Sequence, residues 1–497
     1  MIGNVASWRG DGMPLRLAES AAAGADGPGL DEVRTWLDRC RQRTFTTVRR
    51  ILLDDLVGWR TDPDTGDLVH QSGRFFTVEG IDVKITPSAV PHWRQPIIDQ
   101  PEVGVLGFLV RDIDGVLHLL MQAKVEPGNC NGVQLSPTVQ ATRSNYTRVH
   151  GGRQVPYLEY FQRQGRGRTI ADVRQSEQGS AFRGKRNRNI VVEVTEDVAA
   201  ADGFRWMTLG QVHRLLAEDD LINMDARTVL ACLPVAHPGM AQVLGAERAA
   251  GGFRAALARS SDAAQGGRHT MADLLSWITE ARIRTEVRTR RAPLRDLPGW
   301  RRTPERISHE TGAFFDVIGV DVTAGGREVT HWTQPMVEPY STGVVAFAVR
   351  EFDGVLHVLM NTRVEAGYLD VVELAPTVQC TPGNYRHLPA SARPPFLDEV
   401  LAVDPARIRY SAMLSEEGGR FYHARNHYLI AEMDLDVSPD HPEYRWVTVS
   451  QMAELLRHSH YVNIQARSLL AALHSLMSPG RDRAAGAGVE ASYRRRA

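Results

Sequence analysis

The chain has 497 residues, enough for roughly two to four domains of about 100–200 residues each, and 43% of it is apolar against 24% charged, the balance of a soluble globular protein. A formal net charge of −1 supplies no field to hold nucleic acid or a membrane surface, so neither is expected as a partner. The four cysteines (Cys40, Cys130, Cys232, Cys380) form no C-x-x-C pair, which speaks against a disulfide framework or a structural zinc and for a reducing compartment. No charged-then-apolar leader and no apolar run near 18 residues is present, so the expected location is the cytoplasm.

Residues 1–28, rich in Gly, Ala and Ser, read as a loose lead-in. Leu30, Val33, Trp36 and Leu37 recur at helical spacing and predict a helix over about 31–40. Residues 75–85 alternate as a strand, with Gly80 marking a bulge or a close backbone approach. Two apolar runs, 104–111 and 116–121, flank Asp114-Gly115 and give the clearest hairpin signal. A further strand is predicted over 190–194. Leu209, Val212, Leu215 and Leu216 then mark a helix, and Asn223 caps another.

The pattern is written twice. Trp93 and Trp332, Gly115 and Gly354, Glu126 and Glu365, Gln140 and Gln379, and Tyr146 and Tyr385 all stand 239 residues apart, while the flanking helices keep offsets of 240 or 241. The expected fold class is therefore α/β (α+β), a tandem duplication of one module with a mixed β-sheet flanked by helices. The repeats span 29–237 and 269–477. They are joined by a linker at 238–268 with a short helix near 253–259, and a low-complexity tail, 478–497, is expected to be disordered.

The sequence holds no G-x-x-x-x-G-K-[ST] loop, no G-x-S-x-G elbow and no H-E-x-x-H helix, and Gly104 and Gly107 open no helix, so nothing calls for a nucleotide cofactor. What remains are polar and aromatic residues in loops beside strands. Trp93 and Trp332 stand just before Gln95 and Gln334; a Trp there is either core or a face that stacks on a base or sugar. Lys124 and Glu126, copied as Arg363 and Glu365, alternate onto one face of an extended segment. They form either a surface ion pair or a general base or anion anchor tuned by a carboxylate. Pro-Thr-Val-Gln occurs identically twice, so Thr138, Gln140, Thr377 and Gln379 either shape a turn or bind a polar ligand. Asn145-Tyr146 and Asn384-Tyr385 follow, and a Tyr hydroxyl in an apolar pocket can act as acid or base. Lys185, Arg186, Asn187 and Arg188, with Arg425 and Asn426 in the copy, set cations and amides just before a strand, which suits a diphosphate better than RNA.

Together, Trp-x-Gln-Pro, the Asp-Gly hairpin, Lys/Arg-Val-Glu-x-Gly, Pro-Thr-Val-Gln, Asn-Tyr and Ser-Glu-x-Gly-x-x-Phe (residues 176–182 and 415–421) resemble the NDP-hexose 2,3-dehydratases of deoxysugar pathways, from about residue 35 to 473. The resemblance implies a Nudix-like module in each half without Nudix hydrolysis, and a substrate such as dTDP-4-keto-6-deoxy-D-glucose. It implies no cofactor and no metal; the segment nearest a Nudix helix, 172–179, lacks the run of carboxylates that magnesium needs. Removing the C3 proton and the C2 hydroxyl needs a base, an acid and a donor to the C4 oxyanion. The resemblance implies Lys124, Glu126, Tyr146 and His92 for these roles, Arg143, Lys185, Arg186 or Arg188 for the diphosphate, and Trp59 or Trp93 for stacking. Arg363, Pro382, Ala424 and His427 replace Lys124, Arg143, Lys185 and Arg188 in the copy, and an Arg does not readily give up its proton. The first repeat is therefore expected to catalyse and the second to bind without turnover, to regulate or to be vestigial. By analogy a homodimer is expected, with a 3-ketoreductase as pathway partner. A Nudix-type nucleotide-sugar hydrolase and a non-catalytic nucleotide-sugar binding protein are the alternatives.

Overall fold

The structure, a computed structural model, describes residues 12–24, 28–147, 154–162, 166–243, 251–325 and 329–477. The first repeat holds β1 (Thr46–Ile51), β2 (Trp59–Thr61), β3 (Leu68–His70), β4 (Thr77–Thr86), β5 (His92–Asp99), β6 (Gly104–Ile113), β7 (Val116–Val125), β8 (Val133–Ser136), β9 (Val139–Ala141), β10 (Arg168–Ser176), β11 (Arg186–Val194) and β12 (Phe204–Thr208). The second repeats them as β13 (Glu286–Ala292), β14 (Trp300–Arg302), β15 (Arg306–His309), β16 (Phe315–Ala324), β17 (His331–Pro339), β18 (Gly343–Phe352), β19 (Val355–Val364), β20 (Val372–Ala375), β21 (Val378–Cys380), β22 (Ile408–Ser415), β23 (Arg425–Glu432) and β24 (Tyr444–Val447). The architecture is mixed α/β and duplicated.

Each repeat builds a seven-stranded sheet, β10-β11-β6-β7-β12 in the first and β22-β23-β18-β19-β24 in the second, with β11–β6 and β23–β18 parallel. The predicted hairpin is β6–β7. Asp114 and Gly115 take φ of 53° and 83°, left-handed at both turn positions, and Asp353 and Gly354 match them at 50° and 82°. Beyond the turn the two arms part: β9 pairs with β6 over 105–107, and β8 pairs with β7 over 122–125. Thr138 pins this fork. Its hydroxyl accepts from the Leu109 amide at 2.9 Å and donates to the Leu120 carbonyl, and Thr377 does the same between Ala348 and Leu359.

The smaller sheets exchange strands between repeats. β13 of the second repeat pairs with β4 of the first, and β1 of the first pairs with β16 of the second. Gly80 lies opposite Ala292, where a Cβ would come within 2.5 Å of the Ala292 carbonyl oxygen; Gly319 lies opposite Ile51 at 3.0 Å. The expected close backbone approach is that of the visiting strand.

Both repeats share one apolar core, which runs from Phe108 and Leu119 through Leu230 to Phe347 and Leu470. The helices Met224–Leu230 and Ile464–Ser475, each N-capped by an Asn side chain (Asn223, Asn463), meet in it. Arg227 and Arg467 lie fully buried there and cross over reciprocally: Arg227 donates to the Ser415 carbonyl at 2.7 Å, and Arg467 to that of Ser176.

Two expectations need correction. Within the expected loose lead-in, Met13–Ala22 is a helix whose buried Met13 and Leu17 pack on β7 and on the helix Leu209–Leu215. Its copy, Phe253–Ser260, lies within the expected linker and covers β19, so each stretch is the first helix of its module. Small residues mimic low complexity in the sequence while leaving an apolar stripe intact. Residues 172–176, read as nearest to a Nudix helix, are strand in β10. The helix expected over 31–40 is Pro28–Arg43, and its copy is Met271–Arg284. The tail 478–497 falls outside the described residues. No described helix is long and apolar enough to cross a membrane.

Candidate active site

Two cavities open at the splayed ends of the forks, of about 470 and 690 Å³, and each is built by both repeats. Lys124 and Glu126, at the end of β7, and Gln140 of β9 face the first cavity. So do Trp332 and Gln334 of β17 and Glu417 and Arg420 from the other half. The second cavity reverses this: Arg363, Glu365 and Gln379 meet Trp93 and Gln95 of β5. The geometry behind the exchange is a pair of docked loops. The Gly128 amide donates to the Gly418 carbonyl at 2.8 Å, and a Cβ on Gly128 would sit 1.7 Å from the Phe421 carbonyl oxygen. Gly367 meets Phe182 at the same 1.7 Å. The glycine of Val-Glu-x-Gly is thus required by the other repeat's backbone.

Within the first cavity the polar groups are fixed by one another. Lys124 Nζ donates to the Gln140 carbonyl at 2.9 Å, and Gln140 Nε2 donates to Glu126 Oε1 at 2.7 Å. Asn223, the helix cap, donates to Gln140 Oε1 at 2.9 Å. Trp332 Nε1 donates to Gln334 Oε1 at 2.9 Å, and Gln334 in turn holds the Gly419 carbonyl at 2.6 Å, so the ring's orientation is set by the loop that carries Glu417. Trp59 lines the same wall, its Nε1 donating to the Thr333 carbonyl at 2.9 Å. Beside it stand His70, Phe75 and Phe76. Phe75 holds φ of 73°, a backbone strain of about 1–3 kcal/mol that sets its ring edge-on to His70 at 4.7 Å.

The charged groups set the two cavities apart. Glu177, Asp225 and Glu417 line the first, with Lys124, Lys185 and Arg420. Burial raises Asp225 well above the usual carboxylate range, with Glu177 and Glu417 adding to it, and burial also raises Glu177. Glu417 is pushed up to about 7 by burial and then by Glu126, while burial lowers Lys185 to about 8. At the matching places of the second cavity stand Arg363, Gln178 and Gln465, with Ala424 where Lys185 would be, and Arg363 ion-pairs with Glu365 at 2.7 Å. The raised carboxyl groups thus gather in the first cavity, whereas in the second burial raises the Cys380 thiol to about 12 and raises Tyr385 as well. Among the described residues no group of three or more His, Cys, Asp or Glu side chains is arranged to hold a metal ion.

Of the sequence candidates, Lys124, Glu126, Gln140, Asn145, Lys185, Asn187, Trp59, Trp332 and Gln334 come together at the first cavity. His92, Trp93, Gln95, Gln379, Asn384, Tyr385, Arg425 and Asn426 line the second. His92 there binds Asp82 at 3.1 Å. Tyr146 is half-buried against the apolar cluster around Phe161 and does not line the first cavity. Thr138 and Thr377 serve the forks. Arg143 is exposed, Arg186 bonds His460 at 2.8 Å, and Arg188 is held by Asp172, so none of the three lines the first cavity. Asp225, Glu177, Glu417, Arg420 and His70 were not among the candidates. Three of them, Asp225, Glu417 and Arg420, differ between the copies, which have Gln465, Gln178 and Ala181 in their places.

The profile of NDP-hexose 2,3-dehydratases matches residues 30–233 and 271–473, once per repeat. The chain belongs to the NDP-hexose 2,3-dehydratase family. It is 50% identical over 469 residues, 94% of this chain and 96% of the relative, to a dTDP-4-dehydro-6-deoxy-alpha-D-glucopyranose 2,3-dehydratase of Saccharopolyspora spinosa. Enzymes of the same description from Amycolatopsis orientalis and Streptomyces violaceoruber are each 49% identical, covering 93% and 88% of this chain and 93% and 95% of their own lengths. The chain is accordingly a hydro-lyase, an enzyme that removes water. The dehydratase thus pairs a cavity holding Lys124, Asp225 and Glu417 with a second where Arg363, Gln465 and Gln178 take their places.

Proposed function

We propose that the first cavity binds dTDP-4-dehydro-6-deoxy-D-glucose and catalyses its 2,3-dehydration to the 3,4-diketo-2,6-dideoxy sugar, in the cytoplasm. The observation that carries this is the concentration of Lys124, Glu126, Lys185 and three further carboxyl groups in one cavity of the two. Its volume of about 470 Å³ lies within the about 300–1,000 Å³ of small-molecule sites. Lys185 and Arg420 hold the diphosphate, and Trp59 or Trp332 stacks on the base or hexose.

The C4 ketone acidifies the C3 proton. Glu126, oriented by Gln140, takes that proton, and the electron pair passes into the ketone as an enolate, whose oxygen Lys124 stabilises. The C2–O bond then breaks, and with a proton from an acid the hydroxyl departs as water. The resulting enol becomes a ketone by losing its C3 hydroxyl proton, while Glu126 returns a proton to C2. Lys124 is preferred to its copy because the Arg363 guanidinium is tied to Glu365, the counterpart of the base Glu126. The second cavity binds nucleotide sugar without turnover, and two copies of the chain associate as a homodimer.

The test is an assay coupled to excess 3-ketoreductase, the expected pathway partner, which traps the unstable diketone. Release of the C2 oxygen as water with formation of a 2-deoxysugar nucleotide is the expected outcome. Release of dTMP with magnesium, or saturable binding without product, would replace this reading with a hydrolase or a binding protein.

A further inference from the structure

Glu177, Asp225 and Glu417 converge on the first cavity, and each carries an oxygen without a hydrogen-bond partner among the described residues: Glu177 Oε2, Asp225 Oδ1 and Glu417 Oε2. The first two side chains are only 4% exposed. The second cavity displays the same three positions in a neutral version. Glu416 stands in place of Glu177, Gln178 in place of Glu417 and Gln465 in place of Asp225. There both amides donate to Glu416 Oε2, at 3.0 and 3.4 Å, while Asn426 and Tyr428 donate to Oε1 at 2.6 and 2.8 Å. One carboxylate is saturated by neutral donors and has nothing left to do. In the first cavity Asn187 donates to Glu177 at 2.7 Å, and both amides have become acids. An ionised carboxylate has no hydrogen to give, so an acid in an amide's place can donate to Glu177 only when it carries a proton. Three carboxyl groups buried on one cavity do not all ionise together.

We propose that Glu177, Asp225 and Glu417 hold protons in common at neutral pH and are the acid that releases the C2 hydroxyl as water. The set gives one proton to the departing hydroxyl and regains one from the C3 enol hydroxyl, so each turnover leaves it as it began. It rests on the assignment of the reaction to the first cavity. Lys124 and Glu126 at the end of β7, Lys185 before β11, and Arg420 and Arg467 from the second repeat all bear on it. Burial above all, with repulsion from Glu177, Glu417 and Glu126 at Asp225, from Glu126 and Glu177 at Glu417 and from Glu416 at Glu177, outweighs the pull of the cations and holds all three groups above the ordinary carboxylate range. The second repeat, through Glu417, then takes part in the chemistry of the first.

The experiment is the double variant Asp225→Gln/Glu417→Gln, which rebuilds in the first cavity the arrangement that already packs around Glu416. At pH 7 the wild type is expected to show an infrared band of a protonated carboxyl that the double variant lacks, beside the Glu373 carboxyl that both retain. In the coupled assay kcat is expected to fall by about 100-fold or more, with KM changed only a few-fold. A variant that keeps kcat within a few-fold, or a wild type without the band, overturns the proposal. If the wild type fails to turn over the dTDP-sugar while the band is present, the substrate reading fails and the proton sharing stands. Should the double variant not fold, Asp225→Asn and Glu417→Gln are measured singly with the same two readouts.

Discussion

Lys185 shows how one side chain ties the site to pH. Burial lowers it to about 8, and its ammonium bonds the Glu102 carbonyl at the cavity wall. It is protonated below that value and neutral above it. If it holds the diphosphate, KM should rise as pH climbs through about 8, and Lys185→Ala, which copies Ala424, should raise KM and remove that rise. A second residue makes a stability prediction. Glu373 is fully buried, accepts from Ser176 Oγ at 2.6 Å, and is raised to about 7 by burial; its copy is the neutral Gln134. Between its unfolded value and about 7 the folded chain keeps a proton that the unfolded chain releases, so stability falls as pH rises through that window. Glu373→Gln should therefore be the more stable protein at pH 8, by on the order of 2–3 kcal/mol, and gain little at pH 4, read as the difference in denaturation midpoint. At this scale the sequence was partly legible. Lys124 against Arg363 and Lys185 against Ala424 stood out once the copies were aligned. Glu417 did not, because alignment pairs Glu416 with Glu177 and says nothing of which cavity a loop enters.

The elements were easier to foresee than their partners. Period-2 and period-3.6 patterns placed the hairpin, the capped helices and most strands, since those depend on residues within a few positions of one another. Strand exchange depends on contacts more than 200 residues apart: β1 on β16 and β13 on β4. Gly80 and Gly319 were its trace in the sequence, read as a close approach by an unknown neighbour. Because each small sheet takes a strand from the other repeat, the halves should not be independent. A chain divided between residues 243 and 251 should give two pieces that stay insoluble alone and regain turnover when produced together. Soluble, active first halves would show that the exchange is dispensable. The fork is a second element whose meaning changed: Pro-Thr-Val-Gln is duplicated because Thr138 and Thr377 must hold two parting strands, while Gln140 and Gln379 order the carboxylate beside them.

Over the whole molecule, the duplication has become a single body. Arg467 donates to the Val462 carbonyl at 2.6 Å, to Thr228 Oγ1 at 2.6 Å and to Ser176, so three segments of both repeats meet on one guanidinium. Arg467→Ala should cost about 3–5 kcal/mol in denaturant unfolding, because it leaves those buried acceptors unpaired. The reciprocal loops that Gly128 and Gly367 admit carry Glu417 into one cavity and Gln178 into the other. Two equivalent sites have thus diverged, with Asp225 and Glu417 in one where Gln465 and Gln178 stand in the other. The most direct test exchanges Lys124 and Arg363, which stand at equivalent places in the two cavities. Lys124→Arg and Arg363→Lys are compared in the coupled dehydration assay at saturating dTDP-4-dehydro-6-deoxy-D-glucose. Lys124→Arg should lose about 100-fold or more in kcat while Arg363→Lys stays within a few-fold of the wild type. An active Lys124→Arg enzyme beside an inactive Arg363→Lys one would place the chemistry in the other cavity.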